Sequence, residues 1–146
     1  MSNNRTVLVT GAAGFIGSNF IYYWKEKYPD QALVILDALT YAGNKNNLQQ
    51  FIDAKEIIFV HGSICDASLV KQVIVDNSID TIIHFAAESH VDRSITGPDA
   101  FIETNIVGTH TLLRAAKECW LGENEVTNHH FHHVSTDEVY GTLAAD

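Results

Sequence analysis

The sequence is poor in cysteine, proline and basic residues, and each shortage excludes a class of protein. Its 146 residues include 2 cysteines, 2 prolines and 9 lysines and arginines against 18 acids, for a formal net charge of −9. Two cysteines, Cys65 and Cys119, cannot form a disulfide scaffold, so we expect reduced thiols. The basic residues are scattered singly and form no patch for nucleic acid or a membrane surface. We therefore expect no nucleic-acid partner.

Long apolar runs and low-complexity linkers are also missing. No segment has the roughly 18 consecutive apolar residues that a membrane span needs, and Met1–Thr6 does not resemble a signal peptide. These features predict an acidic, cytoplasmic chain with no membrane partner. A chain of this length forms one domain that buries about two-thirds of its unfolded surface.

Five short runs rich in β-branched residues alternate with segments of helical spacing. The predicted strands are Thr6–Thr10, Ala32–Leu36, Glu56–His61, Thr81–Phe85 and Phe131–Ser135. Most are almost continuously apolar, as is typical of strands covered on both faces. The pattern predicts an α/β fold, a doubly wound parallel sheet of the Rossmann type with strand order 3-2-1-4-5.

Three intervening segments are predicted to be helices. Asp66 is the predicted N-cap of one, and Pro98 precedes another. In the first, apolar side chains recur on one face at Ile16, Phe20, Tyr23, Trp24 and Tyr28. The chain ends soon after the fifth strand, so we expect residues 1–146 to be a domain truncated at its C-terminus.

Three glycines lie between the first strand and the first helix. Gly11, Gly14 and Gly17 have the spacing GxxGxxG, one residue longer than the dinucleotide fingerprint GxGxxG. Gly11 would allow a tight turn, Gly14 a close approach to pyrophosphate, and Gly17 close helix–strand packing. Unpaired N–H groups at the helix N-terminus attract phosphate. Glycines needed only for turn and packing are the alternative, but their position favours a dinucleotide site.

An acid ends the second strand at Asp37. A carboxylate at this place accepts hydrogen bonds from the adenosine ribose hydroxyls and would repel a 2′-phosphate. The first basic residue after it is Lys45. The sequence thus favours NAD over NADP, the alternative being that Asp37 only caps its loop.

Four segments carry a specific resemblance to a known family. Thr10–Gly17 resembles the extended short-chain dehydrogenase/reductase superfamily. Asp37–Asn44, Ala86–Ile95 with Thr104 and Asn105, and Ser135–Gly141 together resemble the dTDP-glucose 4,6-dehydratase family. The resemblance implies an NAD-dependent lyase that converts dTDP-glucose to its 4-keto-6-deoxy sugar. Such an enzyme oxidises C4, eliminates water across C5 and C6, and returns the electrons to C6.

The resemblance also implies roles for individual residues and a homodimer in the full-length form. Asp137 and Glu138 would be the acid and base of elimination, roles that adjacent carboxyls with different pKa values can divide. The alternative for this pair is a solvated turn. Ser89 and Thr136 would contact the substrate. Besides the glycines, the implied NAD contacts are Phe15, Ile16, Asp37, Ala38, Leu39, Thr40, Phe85, Ala86, Ala87, Glu88, Ser89 and Thr104.

The sequence departs from the family's pattern in two ways. Ser63 precedes Ile64 after the third strand, where the family has an acid that contacts adenine, so we expect weaker adenine recognition. The family's Tyr-x-x-x-Lys pair, on a helix after the fifth strand, and its substrate domain are absent. We therefore expect the chain to be the cofactor-binding part of the enzyme, inactive alone.

Three other patterns are interpreted as coincidences. Tyr23–Lys27 and Tyr41–Lys45 fit the Tyr-x-x-x-Lys spacing but come too early to reach the nicotinamide end. His129–His133 places two histidines on one strand face without a third ligand, so we predict no metal site. The alternative functions are a nucleotide-sugar epimerase of the same superfamily, against which Thr136–Glu138 argues, and a non-catalytic NAD-binding module.

Overall fold

The computed structural model describes residues 5–121 and 128–141, except for the side chains of residues 91, 93, 96 and 138. The strands are β1 (Thr6–Thr10), β2 (Ala32–Asp37), β3 (Ile57–His61), β4 (Thr81–His84) and β5 (His130–His133). The α-helices are α1 (Phe15–Lys27), α2 (Gln49–Asp53), α3 (Ala67–Asp76), α4 (Val91–Thr96), α5 (Asp99–Phe101) and α6 (Thr109–Trp120). A π-helix, Ile102–Gly108, joins α5 to α6, and short 3₁₀ helices span Lys45–Leu48 and Asp137–Tyr140.

The five strands form one parallel sheet in the order β3-β2-β1-β4-β5. The predicted fold class and strand order are confirmed, and the strand bounds differ from those predicted by no more than two residues at either end. In the central strand, Val9 pairs with Ile35 on one side and Ile83 on the other. Because all strands run the same way, the loops that follow them meet at one edge of the sheet, where ligands of doubly wound folds bind.

Side chains alternate between the two faces of the sheet and build two cores. On one face Leu8, Leu36 and Ile82 pack with residues of α3 and α6. On the other, Val9 and Ile35 pack with residues of α1 and α2. Each buried aliphatic side chain contributes about 1.5–3 kcal/mol, which explains why the strands are apolar throughout.

The helices follow the predicted positions, with two differences. Asp66 caps α3 as predicted, its Oδ1 accepting from the N–H groups of Ser68 and Leu69. The apolar face predicted for α1 is only partly buried, since Ile16 is 64% and Tyr23 53% exposed. Ile21, which the prediction left out of this face, is fully buried. The helix after Pro98 passes through a π-helical segment that the apolar spacing did not predict.

Candidate cofactor site

Gly11 begins the turn after β1 in a conformation that only glycine adopts without strain. Its φ is +71°, and a Cβ there would lie 2.6 Å from both Cα and N of Ala86. Its N–H donates to the carbonyl of Leu36 at 3.1 Å. The turn is therefore pressed between the ends of β2 and β4, as a tight dinucleotide-binding turn requires.

Gly14 and Gly17 open α1 toward the same edge. Gly14 is the N-cap and has no side chain to bond the first-turn N–H groups. A Cβ on Gly17 would lie 2.7 Å from Cα of Ala12, so this glycine permits the close packing of helix and turn. Phe15 and Ile16 are 83% and 64% exposed, so the first turn of α1 lies at the surface. The exposed N-terminus of α1 is therefore the kind of site at which a pyrophosphate can bind.

Asp37 is only 7% exposed and links two loops. Its Oδ2 accepts from the N–H of Ala13 and its Oδ1 from the N–H of Leu39, both at 2.8 Å. A carboxylate has about four acceptor positions, so two remain for ribose hydroxyls. Asp37 thus caps its loop, and this is compatible with the predicted ribose contact.

The loop after β2 is tied to the glycine turn by a second set of bonds. The carbonyl of Ala13 accepts from the N–H of Asn44 and from Nδ2 of Asn47, both at 3.0 Å. Asn44 belongs to the recognised segment Asp37–Asn44, whereas Asn47 was not singled out, and neither bond was predicted. The loop is polar and lacks periodicity, so only the tertiary contacts reveal these bonds. The predicted contacts Ala38 and Thr40 lie in this loop and are exposed.

The segment after β4, Phe85–Ser89, lies beside the glycine turn. The N–H of Phe85 donates to the carbonyl of Thr10 at 3.0 Å. Asn105 holds Glu88 at two points, its Oδ1 accepting from the Glu88 N–H and its Nδ2 donating to the Glu88 carbonyl, both at 2.8 Å. Asn105 was part of the recognised motif, but its role as a clamp was not predicted. Ala87 and Ser89 are exposed, and Thr104 is half-buried.

Ser63 and Ile64 follow β3 on the other flank. Ser63 is exposed, and its Oγ accepts from the N–H of Cys65 at 3.1 Å. The side chain of Ile64 belongs to the core and packs against Gly108. Ile64 can therefore meet a ligand only through its main chain.

Thr136 and Asp137 follow β5 at the same edge of the sheet and are exposed. The N–H of Val134 donates to the carbonyl of His84 at 3.1 Å, which extends the pairing of β5 with β4. Two strand spacings, about 10 Å, separate β5 from β1. The side chain of Glu138 lies outside the described residues.

The two Tyr-x-x-x-Lys matches lack the geometry of a catalytic pair, and the histidine run, among the described residues, lacks that of a metal site. Lys27 Nζ donates to the hydroxyl of Tyr23 at 2.9 Å near the C-terminal end of α1, beside a cavity of about 540 Å³ at the opposite edge of the sheet. Lys45 Nζ lies 5.1 Å from the ring centroid of Phe59.

Among the described residues, no three His, Cys, Asp or Glu side chains are grouped to hold a metal. Within residues 5–121 and 128–141, no helix has the length and apolar character to cross a bilayer.

Comparison with known sequences identifies close relatives. dTDP-glucose 4,6-dehydratase 1 of Escherichia coli K12 is 50% identical over 139 residues, which are 94% of this chain and 38% of the relative. The dTDP-glucose 4,6-dehydratase of Mycobacterium tuberculosis H37Rv is 46% identical over 140 residues, 96% of this chain and 39% of the relative. The chain thus spans about two-fifths of the length of these curated relatives. The predicted resemblance is confirmed.

Solved structures of both dehydratases and epimerases are similar to this chain. DesIV, a dTDP-glucose 4,6-dehydratase of Streptomyces venezuelae solved with NAD, superposes with a TM-score of 0.82 at 46% identity, over 97% of this chain and 42% of that one. UDP-glucose 4-epimerase of Brucella ovis, also with NAD, gives 0.79 at 26% identity, over 96% and 38%. The sequence profile described as GDP-mannose 4,6 dehydratase matches residues 8–146. The chain therefore belongs to the GDP-mannose 4,6 dehydratase family.

Proposed function

We propose that this chain is the NAD-binding part of a cytoplasmic dTDP-glucose 4,6-dehydratase that is homodimeric in its full-length form. The observation that carries the proposal is the joining of the glycine turn to Asp37 through the Ala13 N–H. This bond supports the proposal because it holds the glycine turn and a fixed carboxylate side by side, as binding of the adenosine half of NAD would require. Identity to dTDP-glucose dehydratases supports the choice of substrate.

The proposed NAD contacts divide along the edge of the sheet. The first-turn N–H groups of α1 would bind the pyrophosphate, and Asp37 with residues 38–40 would hold the adenosine ribose. Ser63 and the main chain of Ile64 would contact adenine. Phe85–Ser89 and Thr104 would face the nicotinamide half. Bound NAD would supply reversible two-electron oxidation at C4 of the sugar.

The loop after β5 would serve the elimination. Removal of water across C5 and C6 takes a proton from C5 and releases a hydroxyl from C6, so it needs one base and one acid. We assign the acid to Asp137 and the base to Glu138, with Ser89 and Thr136 holding the substrate. Epimerisation at C4 needs no elimination, so the paired carboxyls favour a dehydratase over the epimerases that share the fold. A non-catalytic NAD-binding module would leave the pair without a role.

Cofactor titration of the folded chain tests the proposal. Isothermal calorimetry should show NAD binding and weaker NADP binding, because the Asp37 carboxylate repels a 2′-phosphate. The chain alone should form no 4-keto product, since Tyr23–Lys27 lies at the opposite edge of the sheet and Lys45 of Tyr41–Lys45 packs on Phe59 of β3. Failure to bind NAD, or tighter binding of NADP, would contradict the proposal.

A further inference from the structure

One buried ring connects three elements of the candidate cofactor site. His84, the last residue of β4, is 1% exposed. Its Nδ1 lies 2.6 Å from Oγ1 of Thr10 at the end of β1, and its Nε2 lies 3.0 Å from Oγ1 of Thr109 at the start of α6. Both ring nitrogens are therefore engaged, and their partners come from opposite sides of the histidine.

The direction of these bonds depends on the tautomer of His84, and the partners of the fully buried Thr10 favour one of the two tautomers. Its Oγ1 accepts from the N–H of Ala86 at 3.5 Å. The hydroxyl has one proton to donate, and of its two neighbours only an unprotonated Nδ1 can accept it. Nδ1 of His84 is then the acceptor, and Nε2 carries the proton that it donates to Thr109. The bonds run in one direction from Ala86 through Thr10 and His84 to Thr109.

The surroundings of the ring keep it neutral. Burial, with a smaller contribution from the neighbouring His133 of β5, lowers the pKa of His84 from 6.5 to about 4. The two imidazole centroids are 5.0 Å apart, and Phe131 meets the His84 ring edge-on at 6.2 Å. An uncharged ring is what the one-way chain of bonds requires.

This chain of bonds joins two proposed NAD-binding segments. Thr10 directly precedes Gly11, and Ala86 is the residue against which Gly11 packs. His84 directly precedes Phe85–Ser89. On the proposed function, we propose that His84 is a positioning residue of the cofactor site. Its neutral ring accepts from Thr10 and donates to Thr109, and so holds the glycine turn and Phe85–Ser89 at the separation that NAD binding requires.

The test separates positioning from stability by comparing NAD affinity in variants that are all folded. Thr10→Val removes the hydroxyl at nearly constant volume, Thr10→Ser keeps it, and His84→Gln keeps a donor toward Thr109 without the acceptor toward Thr10. Val73→Ala, in the core on α3, is the control for lost stability. Urea titration gives the stability of each variant, and calorimetry gives its NAD affinity.

Thr10→Val and His84→Gln should weaken NAD binding about tenfold, because each removes the buried hydrogen bond between Thr10 and His84. Thr10→Ser should bind several-fold more tightly than Thr10→Val, and Val73→Ala should match the unchanged chain. Spectra of ¹⁵N-histidine-labelled chain should show His84 as the Nε2–H tautomer, and Thr10→Val should shift its Nδ1 resonance.

Three results would overturn the inference. If the unchanged chain binds NAD and Thr10→Val and His84→Gln bind as tightly as Val73→Ala, the positioning role is wrong while the cofactor site stands. An Nδ1–H tautomer at His84 would reverse the bond directions and refute the role as stated. If the unchanged folded chain binds no NAD, the proposed function itself fails and takes this inference with it.

Discussion

The N–H of Ala13 donates to Oδ2 of Asp37 at 2.8 Å, across 24 positions of sequence. The bond ties the first two loops at the carboxyl edge of the sheet, and the N–H of Leu39 holds the other carboxylate oxygen at the same distance. One acid thus shapes the turn that would receive the pyrophosphate, and its remaining lone pairs would be available to the ribose. On the proposed function, structural and ligand-binding roles coincide at this residue.

Asp37→Asn should lower both stability and NAD affinity. An asparagine has one acceptor oxygen, so its NH₂ group must face one of the two N–H donors. The free energy of unfolding should fall by about 1–3 kcal/mol in urea titration, and calorimetry should show weaker NAD binding. Asp76→Asn, at the exposed end of α3, is the matched control and should change neither quantity. Unaltered stability in Asp37→Asn would show that the two N–H bonds contribute little.

Gly11→Ala should destabilise the chain more than Gly141→Ala. Both glycines have positive φ, +71° and +80°, so an alanine is strained at either. A Cβ at Gly11 would also meet the backbone of Ala86, whereas nothing lies within 4 Å of one at Gly141. The difference in unfolding free energy should be about 1–3 kcal/mol, the cost of overpacking. Equal losses would mean that the β4 segment shifts freely to accommodate the methyl group.

Stability should fall in mild acid because His84 resists protonation. Its pKa is lowered from 6.5 to about 4 in the fold, so between these values the unfolded chain binds the extra proton. The contribution is fully present above pH 6.5 and is lost as the pH falls toward 4. From about pH 7 to about pH 5 the loss should be about 2 kcal/mol.

Urea titrations of His84→Gln at the two pH values isolate this contribution. The variant should lose about 2 kcal/mol less than the unchanged chain over this range, because glutamine does not titrate. His110→Gln, an exposed position on α6, is the control and should keep the full pH dependence. If His84→Gln lost as much unfolding free energy between the two pH values as the unchanged chain, groups other than His84 would cause the pH dependence.

The acid and base assignments can be tested in a longer protein that contains this chain and turns over dTDP-glucose. Asp137→Asn and Glu138→Gln should each slow elimination by about 10²–10⁴-fold, since an amide neither donates a carboxylic proton nor accepts one from C5. Oxidation at C4 should persist, so rapid mixing should show NADH absorbance that builds up and remains. Normal turnover by both variants would reduce Thr136–Glu138 to a loop and favour an epimerase or a binding module.

The sequence predicted the features that depend on local spacing. Gly11, Gly14 and Gly17 sit at the end of an apolar strand, and Asp66 precedes a helical pattern, so neighbours along the chain were enough to identify their roles. The strand order followed from the alternation of strands and helices, because the handedness of parallel crossovers leaves few arrangements.

Features that depend on contacts between distant residues could not be predicted in this way. His84 meets Thr10 across 74 positions, and nothing near either residue indicates the other. Asn105, within the π-helix, contacts Glu88 across 17 positions. Ile16 fits an apolar face by spacing but is exposed, because the packing of Gly17 against the turn sets which side of α1 faces the sheet.

The π-helix Ile102–Gly108 makes the length of this segment as important as its composition. Asn105 clamps Glu88, and Oγ1 of Thr109, just beyond the segment, lies 3.0 Å from Nε2 of His84. Deleting one residue between them would leave the chemistry of the segment almost intact, yet would turn one partner by roughly a quarter turn relative to the other. The two contacts could not then survive together, so single-residue deletions here should be tolerated far less than substitutions.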